Sequence, residues 1–481
     1  MSRDCGAASV REFCREAKLR GMDVFRVFDS LNYVDNLLVG CDAVHAAGGV
    51  VQGEVCFTGD LSDDSKYNLD YYLNIADRLV NDGKTHVLGV KDMAGLMTPA
   101  IATKLVSVLK KEFPTTPLHV HTHDTGGVGV ASMIAAATAG ADVVHSAIDC
   151  MSGSTSQPSL GALVKSLGEL QGGSDIDMGD LAALNDYWSV MKGHYAPFEQ
   201  SVSGSSDVFR HQMPGGQYTN LMFQSQSMGL ASEWGGVKKA YREANDLLGD
   251  VVKVTPSSKV VGDLAQFMVA NKLGGKDVVT NASTLNFPTS VVEFLHGQLG
   301  QPVGGFPEPL RSQVLAKAGL KPIDARPGKE LAPLDFAALK GSLDASYGGL
   351  ARDGFDLRLD PDALSAALYP QVFKEFVSFC AEYGDVSCIP TDVFLAPMVP
   401  GQNINVQLES GKSLLIKYLS TSAELDDQGR RIVSGRPRAL AATFCPGGAR
   451  LSALLLAPPF VTPLPLGVLR VERRVPRGAR V

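Results

Sequence analysis

Short apolar runs alternate with helix-period patterns through the first third of the chain. Val24–Phe28, Val50–Phe57, His86–Val90, Leu118–Thr122 and Asp142–Ile148 are strand-length runs rich in Val and Ile. Between them, apolar residues recur at the three- and four-residue spacing of amphipathic helices. One helix is predicted to open at Ser9, with Glu12 completing a capping box, and to stop at Gly21. Thr98 followed by Pro99 marks a second N-terminus. Asn68 caps a third, ahead of Tyr71, Tyr72, Ile75 and Leu79.

Apolar strands alternating with helices predict an α/β fold with a parallel sheet covered by helices. Polar residues gather at the C-terminal ends of successive strands, as Asp29, Lys91, His123 and Asp149 do. That placement favours a TIM-type (β/α) barrel over a doubly wound sheet, which would more often carry a glycine-rich phosphate turn. Neither GxGxxG in that setting nor GxxxxGK[ST] occurs. A full barrel needs eight strands; five are legible, which predicts an incomplete one.

Downstream the pattern changes, and four segments are expected. Residues 1–170 form the partial barrel, and 171–400 a mainly helical domain with good helices at Val237–Leu248 and Leu264–Asn271. Residues 401–431 are a β segment, in which Ile404-Asn-Val-Gln-Leu and Leu414-Leu-Ile-Lys-Tyr flank a turn at Glu409-Ser-Gly. Residues 432–481 hold eight arginines and a single acidic residue, Glu472, without clear periodicity. This tail is expected to be low-complexity, either disordered or read out of frame.

Composition narrows the function. Over 481 residues the hydrophobic share is 45%, the charged share 20% and the net charge -7. These values suit a soluble globular protein and give no polyanion-binding footprint, which disfavours nucleic acid. No apolar run reaches the ~20 residues of a membrane span, and no targeting signal is visible. The eight cysteines form no CxxC pair and read as free thiols. A soluble intracellular protein, cytoplasmic or mitochondrial, is expected.

Leu118-His-Val-His-Thr-His-Asp-Thr puts three histidines at alternate positions. Period two sets their side chains on one face of a strand. Paired imidazoles at a strand end suit a divalent metal better than they suit mere polar lining. His121 and His123, nearest the C-terminal end, are the candidate ligands; His119 is expected deeper, hydrogen-bonded in the core. Lys91 ends the preceding strand. It is either an ion-pair partner of Asp92 or Asp124, or a lysine whose pKa is lowered by desolvation and a nearby cation. A neutral amine captures carbon dioxide as a carbamate, an oxygen ligand for a divalent ion. Spacing leaves the two open.

Several ordered motifs resemble one family. They are Phe25-Arg-Val-Phe-Asp-Ser-Leu-Asn, Val90-Lys-Asp-Met-Ala-Gly-Leu, His119-Val-His-Thr-His-Asp-Thr, Asp149-Cys-Met-Ser-Gly-Ser-Thr-Ser-Gln-Pro-Ser, Pro214-Gly-Gly-Gln-Tyr-Thr-Asn-Leu and Val254-Thr-Pro-Ser-Ser-Lys-Val-Val-Gly-Asp-Leu-Ala. Together, from about Val10 to Arg431, they resemble the carboxyltransferase region of the pyruvate carboxylases, whose barrel is of the HMG-CoA-lyase-like kind. The resemblance implies transfer of a carboxyl group from carboxybiotin to pyruvate, giving oxaloacetate. It makes Lys91, carbamylated, a ligand of a divalent metal (Zn, Mn or Co) together with His121 and His123. It makes Thr255 the proton shuttle between biotin and pyruvate. It puts Ser258 and Lys259 around the biotin ring, with Asp29 a further binding candidate. Biotin is supplied in trans on a carrier domain of another chain, and a homo-oligomer is implied.

The chain departs from the pattern. The family's opening Arg-Asp-Ala-His-Gln-Ser motif and a later Arg-Gly-Ala-Asn segment are missing, as are the ATP-dependent domain and the biotin carrier. Only the fourth to eighth barrel strands are expected, with activity impaired. Competing functions are an oxaloacetate decarboxylase or transcarboxylase subunit, a non-catalytic truncated product, and a metal-dependent acyl-CoA lyase.

Overall fold

The computed structural model describes residues 6–440 apart from 60, 170–173, 197–198, 200–202, 330, 348–358, 384–385, 387–388, 397, 410–411 and 423–432. Five strands form one parallel sheet in the order β1 (Val24–Val27), β2 (Val50–Phe57), β3 (Val87–Asp92), β4 (Leu118–Thr122) and β5 (Val143–Val144). Each strand pairs with the next in sequence, the spatial order of a barrel wall. The helices before, between and after them are α1 (Ala7–Leu19), α2 (Val34–Ala46), α3 (Leu69–Asn81), α4 (Pro99–Glu112), α5 (Gly129–Thr138) and α6 (Leu160–Gly168). The predicted α/β architecture is thus present, with five parallel strands among the described residues.

Local chemistry accounts for the element ends. Asn68 and Thr98 cap α3 and α4 as predicted, accepting from Tyr71 N and Ile101 N. The start of α1 differs from expectation. Gly6 is the N-cap, and Ser9 lies within the first turn with its N–H donating to Gly6 O. Gly21, with φ +98°, turns the chain out of α1 as expected. The fifth strand is shorter than predicted. After Val144 only His145 N still reaches β4, donating to Val120 O, and Ala147 then bridges to Ser159.

One core cluster fills the sheet and its helices, with Val55, Leu88, Val90, Leu118 and Val120 at its centre. A second centres on α10 (Trp234–Leu247) and α11 (Ser257–Ala270), which follow α7 (Met178–Tyr195), α8 (Val208–His211) and α9 (Gly215–Ser227). Both clusters lie in one compact unit, Met1–Lys192 with Glu199–Leu334. The break in compactness therefore comes later than the division at 170 expected from periodicity. Hydrogen bonds stitch the two clusters together: Tyr67 OH donates to Asp250 O (2.5 Å) and Gly215 N to Met93 O (3.0 Å).

The other unit comprises Gly193–Phe198 and Asp335–Val481. It contains further helices and an antiparallel sheet of β6 (Asn403–Glu409), β7 (Lys412–Thr421) and β8 (Val433–Leu440). The predicted hairpin is β6–β7. β8 falls in the segment expected to lack structure, so 433–440 departs from that reading by pairing along β7. Residues 441–481 of the predicted tail lie outside the described residues.

Candidate active site

The register of the parallel sheet builds the site. Lys91 on β3 is paired with His121 on β4, and Gly89 with His119. Cys56 and Glu54 on β2 are paired with Lys91 and Gly89. Because side chains alternate, Gln52, Glu54, Gly89, Lys91, His119 and His121 share one face. Lys91, His121 and His123 are all nearly buried, at 8%, 5% and 8% exposure.

The imidazoles form a linked group. The His121 and His123 rings are 5.2 Å apart at 77°. His121 Nδ1 lies 2.6 Å from Nδ1 of His145, and His123 Nδ1 lies 2.6 Å from Thr155 O. His123 therefore donates from Nδ1 and keeps a lone pair on Nε2. In the His121–His145 contact one ring donates to the other. With His121 as donor, its Nε2 is also a lone pair, and that atom is buried without a hydrogen-bond partner. Desolvation, then the Lys91 charge and the neighbouring rings, hold His121 far below the usual imidazole range. Desolvation lowers His123 as well, against the Thr155 hydrogen bond, and lowers His145. His119 is pushed down to about 4, chiefly by burial, and bonds to Gln52 Oε1 at 3.1 Å as expected, but it is more exposed than His121 and His123 instead of deeper.

Lys91 does not pair with Asp92 or Asp124. Asp92 is consumed by the loop after β3, accepting from Gly95 N, Leu96 N, Met97 N and Thr122 Oγ1 at 2.8–3.0 Å. Asp124 accepts from Gly129 N at 2.7 Å. The carboxylate near Lys91 is Glu54, fully buried, with Oε2 at 3.7 Å from Nζ. Glu54 Oε1 in turn takes Arg26 Nε at 2.6 Å and Gln52 Nε2 at 2.8 Å. The Lys91 ammonium also sits 4.5 Å from the centroid of the Phe28 ring. Sequence reasoning missed Glu54, Arg26 and His145. Each lies on a strand of this face or just after it, and strand alternation would have found Glu54 once β2 was aligned with β3.

Two glycines make room for these groups. Gly95 has φ +73°, and a Cβ there would stand 2.5 Å from His123 O. At Gly215, the first residue of α9, a Cβ would meet Thr155 O at 2.7 Å and His123 Nδ1 at 2.8 Å. Helix α9 is thereby brought directly against the His123–Thr155 bond.

The remaining candidates occupy the turn into α11 and the loop after β1. Thr255 is exposed, as is Lys259, which pairs with Asp263 at 2.5 Å. Ser258 is wholly buried, with Oγ unpartnered. Ser257 Oγ lies 2.6 Å from both Val252 O and Val254 O and 3.2 Å from Ser30 O. The Thr255 turn is thus anchored to the residue after Asp29. Asp29 serves its own loop: Oδ1 accepts from Leu31 N and Tyr33 N, and Oδ2 from Asn36 Nδ2. Desolvation raises its pKa against those hydrogen bonds.

Among the described residues, no group of three His, Cys, Asp or Glu side chains is disposed to hold a metal ion. The donor set that fits a divalent cation is mixed: the unpartnered His121 Nε2, His123 with Nδ1 tied to a carbonyl, and Lys91 on the adjacent strand. A ring N–H held by a carbonyl is the usual support for an imidazole ligand. Lys91 joins this set as an oxygen donor only in its carbamate form.

Comparison with known proteins identifies the family. A family model described as HMGL-like matches residues 5–187, and one described as the conserved carboxylase domain matches residues 208–417. Pyruvate carboxylase of Aspergillus niger is 49% identical over 427 residues, covering 88% of this chain and 35% of that protein. The human protein named pyruvate carboxylase, mitochondrial, is 50% identical over 429 residues, with 88% and 36% covered. The chain thus spans about a third of the length of these curated relatives. The solved carboxyl transferase domain of Rhizobium etli pyruvate carboxylase superposes with a TM-score of 0.84 at 39% identity, over 90% of this chain and 72% of that one. With the two domain matches in order along its length, the chain belongs to the pyruvate carboxylase family and corresponds to its carboxyl transferase domain.

Proposed function

We propose that this chain performs carboxyl transfer from carboxybiotin to pyruvate, yielding oxaloacetate. The observation that carries the reading is the buried, unpartnered His121 Nε2 beside His123 and Lys91 at the ends of adjacent strands. Lys91 as a carbamate, His121 and His123 would hold a divalent ion, with zinc, manganese and cobalt all suited to this donor set. When bound, the ion supplies Lewis acidity toward a substrate carbonyl oxygen.

The protein's own groups do the rest. Thr255 offers a hydroxyl that both donates and accepts, and it moves the pyruvate methyl proton to the ureido group of biotin. The N–C bond of carboxybiotin breaks and the new C–C bond forms at the methyl carbon. Ser257 keeps the Thr255 turn in place through its contacts with Val252, Val254 and Ser30. Ser258 and Lys259 flank the biotin ring, and Asp29 shapes the loop facing that turn. Biotin arrives on the carrier domain of another chain.

The test is biotin-dependent decarboxylation of oxaloacetate by the metal-loaded chain, compared with Thr255→Ala. Proton-transfer groups contribute roughly 10²–10⁴ in rate, so the variant should lose at least about a hundredfold with metal content unchanged. Absence of biotin dependence in the parent, or an undiminished rate in the variant, would overturn the assignment.

A further inference from the structure

Glu54 is the one acidic side chain of this face that the carboxyl-transfer reading leaves without a task. It is fully buried on β2. Its two oxygens differ: Oε1 takes donors from both Arg26 and Gln52, whereas Oε2 has no hydrogen-bond partner and faces Lys91 Nζ at 3.7 Å. Buried carboxylate oxygens ordinarily find donors. The strand below is shaped around this side chain, since a Cβ at Gly89 would stand 2.7 Å from Glu54 Cγ.

We infer that Glu54 is the positioning residue for Lys91, its Oε2 accepting the single N–H that remains on Nζ once the lysine is a carbamate. The inference rests on the carbamate reading above. Carbamate formation joins the neutral amine nitrogen to the carbon of carbon dioxide. The N–C bond forms, one C–O π pair moves onto oxygen, and one amine proton passes to water. The one remaining N–H needs one acceptor, and Glu54 Oε2 is that acceptor. Arg26 offsets the charge of Glu54 so that two anions can lie close together. Gln52 and Arg26 both donate to Oε1, which fixes the orientation of the carboxylate and leaves Oε2 toward the lysine.

The same orientation makes Glu54→Gln a sharp probe. Arg26 and Gln52 still require an acceptor, so the amide oxygen faces them and the amide NH₂ faces Nζ, donor against donor. The experiment uses the full chain equilibrated with ¹³C-bicarbonate. Three readouts are taken: the carbamate carbon signal by NMR, assigned by its loss in Lys91→Ala, bound metal by mass spectrometry, and folding by circular dichroism. Loss of such a supporting partner weakens metal retention about 10–100-fold. Glu54→Gln should therefore lose the carbamate signal and the metal at low bicarbonate, and regain both at high bicarbonate, with the fold retained.

A variant that matches the parent in signal and bicarbonate dependence overturns the role of Glu54 while leaving the carbamate reading intact. A parent without carbamate at any bicarbonate concentration overturns both. Should Glu54→Gln fail to fold, the parent itself decides. In ¹⁵N-lysine-labelled protein the carbamate N–H of Lys91 should be protected from hydrogen exchange, and rapid exchange overturns the assignment.

Discussion

His121 and His145 meet through their Nδ1 atoms at 2.6 Å, so the tautomer of one ring dictates that of the other. When His145 accepts, His121 carries its proton on Nδ1 and presents a bare Nε2. His145 thus stands to His121 as the Thr155 carbonyl stands to His123. Replacing His145 with Phe removes the acceptor and frees the His121 ring to flip or change tautomer. Metal retention should fall about 10–100-fold, read by mass spectrometry after dialysis, with the circular dichroism spectrum unchanged.

Gly95 and Gly127 share the same φ, +73°, but not the same surroundings. An Ala at either pays for a left-handed backbone, roughly 1–2 kcal/mol. At Gly95 the added carbon also collides with the His123 carbonyl oxygen, whereas at Gly127 nothing lies within 4 Å. Gly95→Ala should destabilise the chain by about 3–5 kcal/mol and Gly127→Ala by no more than about 2. Urea unfolding compares them, and equal losses would refute the contact as the cause.

Ser257 carries the turn that presents Thr255. Its hydroxyl reaches Ser30 O, Val252 O and Val254 O and accepts from Val254 N, all in a fully buried setting. Ser257→Ala leaves those groups with one partner fewer and should cost about 1–3 kcal/mol. If the turn serves the proposed proton transfer, the decarboxylation rate falls too, measured below the unfolding transition at saturating biotin.

Acid should weaken the metal-free fold, and the sign follows from burial. His211 is 4% exposed, and desolvation, opposed by Asp207, lowers its pKa from 6.5 to about 4. Above pH 6.5 the ring is neutral folded or unfolded, and stability does not respond to it. Between pH 6.5 and 4 the unfolded chain binds a proton that the folded one refuses. Stability then drops by at most about 1.4 kcal/mol per pH unit for this group, and levels off below pH 4. Buried His123 shifts in the same direction and steepens the slope. His211→Asn, whose side-chain oxygen can replace Nδ1 as acceptor for Met213 N, should flatten the fall in chelator-treated protein.

Much of this was legible in the sequence because it rests on local signals. The period of the apolar runs gave β2 and β4 their limits, and Asn68 and Thr98 cap the helices they were expected to cap. Alternation along β4 put His119 and His121 on one face. Ser9 misled because a serine with a glutamate three residues on satisfies the capping pattern equally well inside a first turn. Glu54 and His145 were invisible for a different reason: their partners sit on neighbouring strands, and only the register of pairing brings them together. Thr255 and Ser258 carry no signal of chemistry in composition or period. The family resemblance singled them out.

Gly89 has a consequence that reaches beyond one molecule. A side chain at 89 and a long one at 54 exclude each other, since the added carbon would lie 2.7 Å from Glu54 Cγ. The two positions cannot mutate in any order. Bulk at 89 requires Glu54 to shift or shorten and so disturbs the acceptor beside Lys91, whereas a lineage keeping Glu54 in this place favours glycine. Among related chains, position 89 should therefore report whether position 54 is free to vary.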